Sequence, residues 1–304
     1  MDKFPSRERT SATALAPRVT AVVVVRDVRP HQPNFVPLDL CLRSALAEPW
    51  IDDLVIVDHG NAPEVSAALR ALQADRRDVK LLTITADQST AAAANLGAQY
   101  ALGRWILFLA PDIVLQRGAV ARMAAAGGGA KTPWIVGGRL TDSEGREQRA
   151  VRVGSLNAWS AIAIALDWAD APRKRKATGG DPQASPVSAV SGAFMLIPRS
   201  DFQALGGFDE GYASFAADLD LCRRAADAGG SVLFQPEAAG VQLARPARGR
   251  KHVQGLARFV AKSAKTPFQR AFAAIATPAL GVLVGFKDFV AGRPPQQRPG
   301  RSGR

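Results

Sequence analysis

Apolar positions along this chain come in short runs separated by polar stretches with helical spacing, and the two patterns alternate through the first 140 residues. Val19 to Val25 is a continuous, β-branched-rich apolar run, as in a strand covered on both faces. A proline-containing loop from Arg26 to Pro37 leads to helical spacing at Leu38 to Ala47. Leu54 to Val57 predicts a second buried strand ending at Asp58, His59 and Gly60, followed by a helix over Pro63 to Ala74. A strand at Val79 to Thr85, an alanine-rich helix at Thr90 to Leu102 and a strand at Trp105 to Leu109 that ends at Pro111-Asp112 continue the series. Such alternation predicts an α/β fold with a doubly wound, mostly parallel sheet and a crevice at the strands' carboxyl ends.

The second half is less regular. Gln116 to Ala126 predicts a helix stopped by Gly127 to Gly129, and Trp134 to Gly138 a strand. The glycine run followed by Ala130-Lys131-Thr132 lacks the glycine spacing of a phosphate-binding P-loop. Leu156 to Trp168 is apolar, with two tryptophans, and either covers an acceptor site or packs; Arg173 to Pro186 predicts a loop. Ala193 to Ile197 then suits a buried strand ended by Pro198. Ser200 is placed to N-cap a brief helix, Asp201 to Leu205, which Gly206-Gly207 stops. Asp218-Leu219-Asp220 stands at the start of an amphipathic helix running to Ala228, where backbone N–H groups and the helix dipole are expected to hold a carboxylate ionised. Ser231 to Phe234 predicts a last short strand.

Charge changes this picture at one end. The net charge is +12, and residues 245–304 hold thirteen Lys and Arg against one acid, Asp288, so the whole excess lies there. Residues 1–18 read as a disordered, mixed-charge start, 19–244 as the folded domain and 245–304 as a basic extension. The extension favours polyanions, with an anionic membrane surface preferred. It has no recognisable nucleic-acid reading motif and interleaves few aromatics, so no specific nucleic acid is expected. Ala271 to Phe286 is mostly apolar but contains Pro278, Gly281 and Gly285. It falls short of the roughly 20 residues a spanning helix needs, leaving an interfacial element or a helix packed on the domain. Two cysteines, Cys41 and Cys222, and a start without a signal-peptide apolar region predict a reducing, cytoplasmic location, peripheral on the inner face of the membrane.

The stretch Ser191 to Arg224, SGAFMLIPRSDFQALGGFDEGYASFAADLDLCRR, resembles the C-terminal half of the catalytic domain in glycosyltransferase family 2, particularly its bacterial rhamnosyltransferase-like branch. Gly192 to Ile197, Gly206 to Glu210 and Asp218 to Arg224 match in order, with Ala217 where the family has the Glu of Glu-Asp. Val57-Asp58-His59-Gly60-Asn61 resembles the family's Val-Asp-Asn-Gly-Ser, and Leu109-Ala110-Pro111-Asp112 its Leu-Asn-Pro-Asp form of the Asp-x-Asp motif. Ala91 to Ala93, Asn95 and Gly97 survive from the intervening Asn-x-Gly-Phe-Ala-Ala-Ala-Asn-Asn-x-Gly segment. The resemblance implies a GT-A nucleotide-diphospho-sugar transferase fold.

It also implies roles. Asp218 becomes the catalytic base and Asp112 the ligand of Mg²⁺ or Mn²⁺, at a site weakened by Ala110 and by Gln242, which stands where the family often has a metal-facing His. Asp58 and Asn95 fall on the nucleotide side, and Asp209, Glu210 and Asp220 on the acceptor side. The implied activity is inverting transfer of a hexosyl or deoxyhexosyl unit from a nucleotide-diphosphate sugar to a glycan or lipid-linked acceptor in surface polysaccharide assembly. The substitutions fall on functional positions, Arg26-Asp27 for the family's Tyr-Asn among them, so a member that keeps the fold and acts as a partner in assembly is the alternative.

Overall fold

The structure is a computed structural model; it describes residues 19–26, 28, 35–148, 152–153, 183–213, 215–244 and 250–263. The expectations for 1–18, 156–168 and 271–286 lie outside these residues, as does most of Arg173 to Pro186.

The first half follows the periodicity. Strands β1 (Val19–Arg26), β2 (Ile51–His59) and β3 (Val79–Ile84) alternate with helices α1 (Phe35–Ala47), α2 (Pro63–Asp75) and α3 (Thr90–Gln99), and β4 (Trp105–Leu109) completes the set. All pair in parallel in the order β3-β2-β1-β4. The continuous apolar runs of β1 and β2 are needed because helices cover both faces, and Val19, Ala21, Val23, Leu54, Ile56 and Val57 are fully buried. On one face Gly97 of α3 sits so close to β1 that a Cβ there would collide with Val22.

Beyond β4 the sheet mixes directions. β5 (Ile113–Leu115), α4 (Ala119–Gly128), β6 (Trp134–Thr141), β7 (Arg152–Val153), β8 (Ser185–Pro186), β9 (Ala189–Val190), β10 (Phe194–Pro198), helix α5 (Arg199–Ala204), helix α6 (Ala217–Asp227) and β11 (Ser231–Gln242) follow in sequence. β10 runs antiparallel between β4 and β6, β11 lies parallel to β6, and β5 closes the edge antiparallel to β11. Strands β1 to β4, β6 and β11 therefore all run the same way, so the described sheet is mostly parallel as expected, with β5, β8 and β10 running against it. Ser200, expected as an N-cap, lies in the first turn of α5, whose cap position is Pro198 and makes no side-chain bond.

The described part of the basic region packs on the domain. Helix α7 (Arg250–Ser263) belongs by sequence to the separate extension, yet it buries Leu256, Phe259 and Val260 in the same core as Tyr212, Leu221 and Phe234. Apolar residues on one face of an otherwise cationic helix account for this packing.

Candidate functional site

Three side chains stand at the carboxyl ends of adjacent strands. Arg26 ends β1 and its guanidinium donates to Thr90 Oγ1 at 3.2 Å. Asp58 near the end of β2 is buried, and its carboxylate accepts from Asn61 Nδ2 at 2.6 Å and from Ser66 Oγ. Asn61 in turn bonds the Val25 carbonyl and the Val28 N–H, tying the ends of β1 and β2 together. The motif match quotes Asn61 but gives it no role; its place directly after Gly60, which has φ 69°, is the signal. Asp58 thus builds the loop at the crevice floor, and a nucleoside contact through it requires Asn61 or Ser66 to share an oxygen.

The third is Asp112, after β4. Pairing of Gln242 with Ile113 in the β5–β11 ladder brings the two ends together, so Gln242 Nε2 donates to Asp112 Oδ2 at 3.0 Å and the Leu243 N–H to the Asp112 carbonyl at 2.9 Å. Burial pushes the Asp112 carboxyl above the usual carboxylate range, against the opposing bond from Gln242. Among the described residues no group of three His, Cys, Asp or Glu could hold a metal ion. A single carboxylate with a neighbouring amide oxygen does fit Mg²⁺, which is commonly held by one or two carboxylates, waters and substrate phosphates; such an ion requires the Gln242 amide to turn its oxygen inward.

Asp218 is built differently. It occupies the first turn of α6, and its two oxygens accept backbone N–H bonds, from Gly192 at 2.8 Å and from Leu219 at 2.9 Å. Burial raises its pKa, outweighing those bonds; the sequence expectation that the helix start would hold it ionised is corrected in direction, because desolvation exceeds the dipole's effect. A side chain at Gly192 would press on it: a Cβ there lies 3.2 Å from the Asp218 Cβ. Ala216, which caps α6, has φ 70° and is the positive-φ non-glycine residue of the described chain, so the backbone is strained just before Asp218. Asp218 and Asp112 are also linked: the residue after Gly192, Ala193, accepts from the Ala110 N–H at 2.8 Å.

The Gly206 to Glu210 turn is anchored from below. Gly206 and Gly207 take φ 77° and 70°, which only glycine adopts without strain. Phe208 then packs edge-to-face against Phe108 of β4 and Phe202 of α5, the three ring centroids lying 4.8 to 5.3 Å apart. Asn95, assigned by resemblance to the nucleotide side, is placed on this turn instead: its amide bonds the Phe208 N–H and carbonyl and Glu210 Oε1, each at 2.9 Å. Glu210 is exposed and lines an open groove of 370 Å³ with Thr83, Thr85, Gln88 and Gln99. Asp209 and Asp220, assigned with Glu210 to the acceptor side, are held in ion pairs with α7. Asp209 meets Arg258 at 3.1 Å and Lys262 at 2.8 Å, and buried Asp220 meets Lys262 and Arg224 at 2.8 Å each.

Residues 17–272 match the family model "Glycosyltransferase like family 2". The chain belongs to that family. Among curated glycosyltransferases, it is 42% identical over 50 residues to "Rhamnosyltransferase WbbL" of Escherichia coli K12, which is 16% of this chain and 19% of that one. It is 37% identical over 71 residues to an N-acetylglucosaminyl-diphospho-decaprenol L-rhamnosyltransferase of Mycobacterium tuberculosis, covering 23% and 22% of the two chains. The matched stretches thus span about a fifth of these relatives' lengths. Solved glycosyltransferases share the fold. GalNAc-T7 with UDP, GalNAc and Mn²⁺ superposes with TM-score 0.65 at 14% identity, covering 92% of this chain and 55% of that one. A Pyrobaculum calidifontis mannosyltransferase with GDP-Man and Mn²⁺ gives 0.58 at 17%, covering 93% and 77%. The fold is GT-A.

Proposed function

We propose that the chain transfers a sugar, with inversion, from a nucleotide-diphosphate donor to a lipid-linked or glycan acceptor, with Asp218 as general base. The observation that carries this is the setting of Asp218: a desolvated carboxylate held by two backbone N–H groups and by no ion pair among the described residues, one peptide from the segment that bonds Ala110 next to Asp112. Family membership supports sugar transfer, and the rhamnosyltransferase relatives support a deoxyhexose donor. The name of the mycobacterial relative supports a lipid diphosphate acceptor.

In this reading an acceptor hydroxyl approaches Asp218, which takes its proton as the oxygen attacks the anomeric carbon and the nucleotide diphosphate departs with the electrons of the broken C–O bond. Asp112, with Gln242 beside it, would hold a divalent ion, whose chemistry there is to offset charge on the leaving diphosphate. Asp58 and Asn61 shape the nucleoside end of the crevice, and Glu210 presents a polar groove to the acceptor. No described helix is long and apolar enough to cross a membrane; attachment to the cytoplasmic membrane surface through residues 245–304 is part of the proposal.

One observation favours a second reading, a member that binds donor without turnover: Asp112 already has a hydrogen-bond partner in Gln242, and Ala110 offers no oxygen side chain. A panel of nucleotide-diphosphate sugars, assayed for thermal stabilisation and for transfer to a prenyl-diphosphate glycan with Mg²⁺, with Mn²⁺ and with chelator, separates the two. Transfer supports the base role; stabilisation without transfer or donor hydrolysis supports the second reading. Neither effect with any donor removes both.

A further inference from the structure

Two cations of α7, Arg258 and Lys262, are paired within the molecule, and where they are paired is informative. Lys262 places its ammonium 2.8 Å from both Asp209 Oδ2 and Asp220 Oδ1, so one cation bridges the Gly206 to Glu210 turn and the first turn of α6. Arg258 reinforces the bridge, donating to both oxygens of Asp209 at 3.1 Å with its guanidinium 5.2 Å from the centre of the Tyr212 ring. Arg224 completes it from α6, bonding Asp220 at 2.8 Å, the Gly207 carbonyl at 2.8 Å and the Leu205 carbonyl. Between these ties lies the loop that delivers the chain to strained Ala216 and then to Asp218. Tyr212 in that loop is buried, and α7 touches the loop so closely that a Cβ on Gly255 would collide with the Phe215 carbonyl.

We infer that α7 is a clasp for the acceptor side, and that Lys262 is a positioning residue that acts on Asp218 through Asp209 and Asp220. Both ends of the 210–217 loop are fixed to one helix by charge-assisted bonds, which are shorter and stronger than neutral ones. Asp220 is buried, so loss of Lys262 leaves its charge to Arg224 alone and frees one oxygen of its partner, a costly way to weaken such a cluster. The clasp also explains how the unfavourable φ of Ala216 persists, since strain is kept only where surrounding contacts over-determine it. The clasp itself is a statement about the fold; its effect on transfer rests on the proposed role of Asp218.

Hydrogen exchange of the full chain tests the clasp without any substrate. Lys262→Met, which keeps the stem and removes the charge, is expected to speed exchange about tenfold at the amides of 206–219, with Lys262→Arg restoring most of the protection. Faster exchange confined to α7, with 206–219 unchanged, overturns the inference and leaves α7 a mere covering helix. If Lys262→Met does not fold, Gly255→Val, which lifts α7 from Phe215 without altering charge, is expected to loosen the same 206–219 amides, and unchanged amides there overturn the inference equally. With a donor and acceptor in hand, Lys262→Met is expected to lower kcat about tenfold with donor KM little changed, because geometry at the reacting atoms suffers before donor binding does. A raised donor KM with kcat intact contradicts the positioning role. Activity retained by Asp218→Asn instead defeats the base assignment and leaves the clasp standing.

Discussion

Two carboxylates in the first turn of one helix, two residues apart, have opposite surroundings. Asp220 is gripped by Arg224 and Lys262, and Asp209 across the loop by Lys262 and Arg258. Asp218 is held by peptide N–H groups and pressed into a desolvated niche beside Gly192. A carboxylate balanced by cations is a fastener, because its charge is already used. One that is half-buried with neutral donors has its affinity for a proton raised, which is the property the proposed base role uses. On the proposed reading, the contrast separates the structural acids from the base more sharply than their shared position on the helix does.

The largest expected effect is on Asp218. Asp218→Asn should lower kcat by about 10²- to 10⁴-fold, the usual worth of a positioned general base, while donor-induced thermal stabilisation stays. The same substitution should raise stability near neutral pH. A pKa raised in the folded state means that Asp218 stabilises fully below the unfolded carboxyl value of about 4 and that this contribution is lost as pH rises through the folded value; Asn removes the loss. Denaturant unfolding at several pH values checks both signs.

Asp220→Asn should do the reverse, costing about 3 kcal/mol of stability because Lys262 and Arg224 lose a buried partner; urea titration measures it. A change in kcat equal to that of Asp218→Asn would erase the distinction between the two acids. Asp209 gives the opposite pH signature to Asp218. Burial by itself would raise Asp209, but Lys262, the Gly211 N–H and Arg258 outweigh it and hold the carboxyl at about 2. Its contribution is therefore present above the ordinary unfolded value and lost as pH falls through about 2, and Asp209→Asn should make the stability profile flatter on the acid side. The smallest effect concerns the backbone: Ala216→Gly should relieve strain and stabilise by about 1 kcal/mol or less, since gained relief is partly offset by unfolded-state entropy.

The first half of the fold was legible because β1, β2 and β4 carry continuous apolar runs, β3 is rich in β-branched and apolar residues, and each intervening helix has its own period. The second half was not, for local reasons. β5 is three residues directly after Pro111-Asp112, too short to carry a period, and nothing in the apolar run of β10 says that it enters antiparallel between β4 and β6. Asp218 and Asp112 were found by resemblance, while the Asp112–Gln242 bond depends on the β5–β11 register, which no local pattern encodes. Asn95 kept its residue type and sits on the Phe208 turn, a contact between positions more than a hundred residues apart. Arg258 and Lys262 read as part of a polyanion-seeking run because their partners, Asp209 and Asp220, lie 42 or more residues earlier in the chain.

The central claim, that Asp218 is a base held by neutral donors and by no cation among the described residues, is tested most directly by the pH dependence of kcat/KM for the wild-type chain with a transferable donor. The account predicts an acidic limb whose apparent pKa lies above the ordinary carboxylate range and which disappears, at much lower rate, in Asp218→Asn. A limb at the ordinary carboxylate value, or one that survives unchanged in Asp218→Asn, would contradict it.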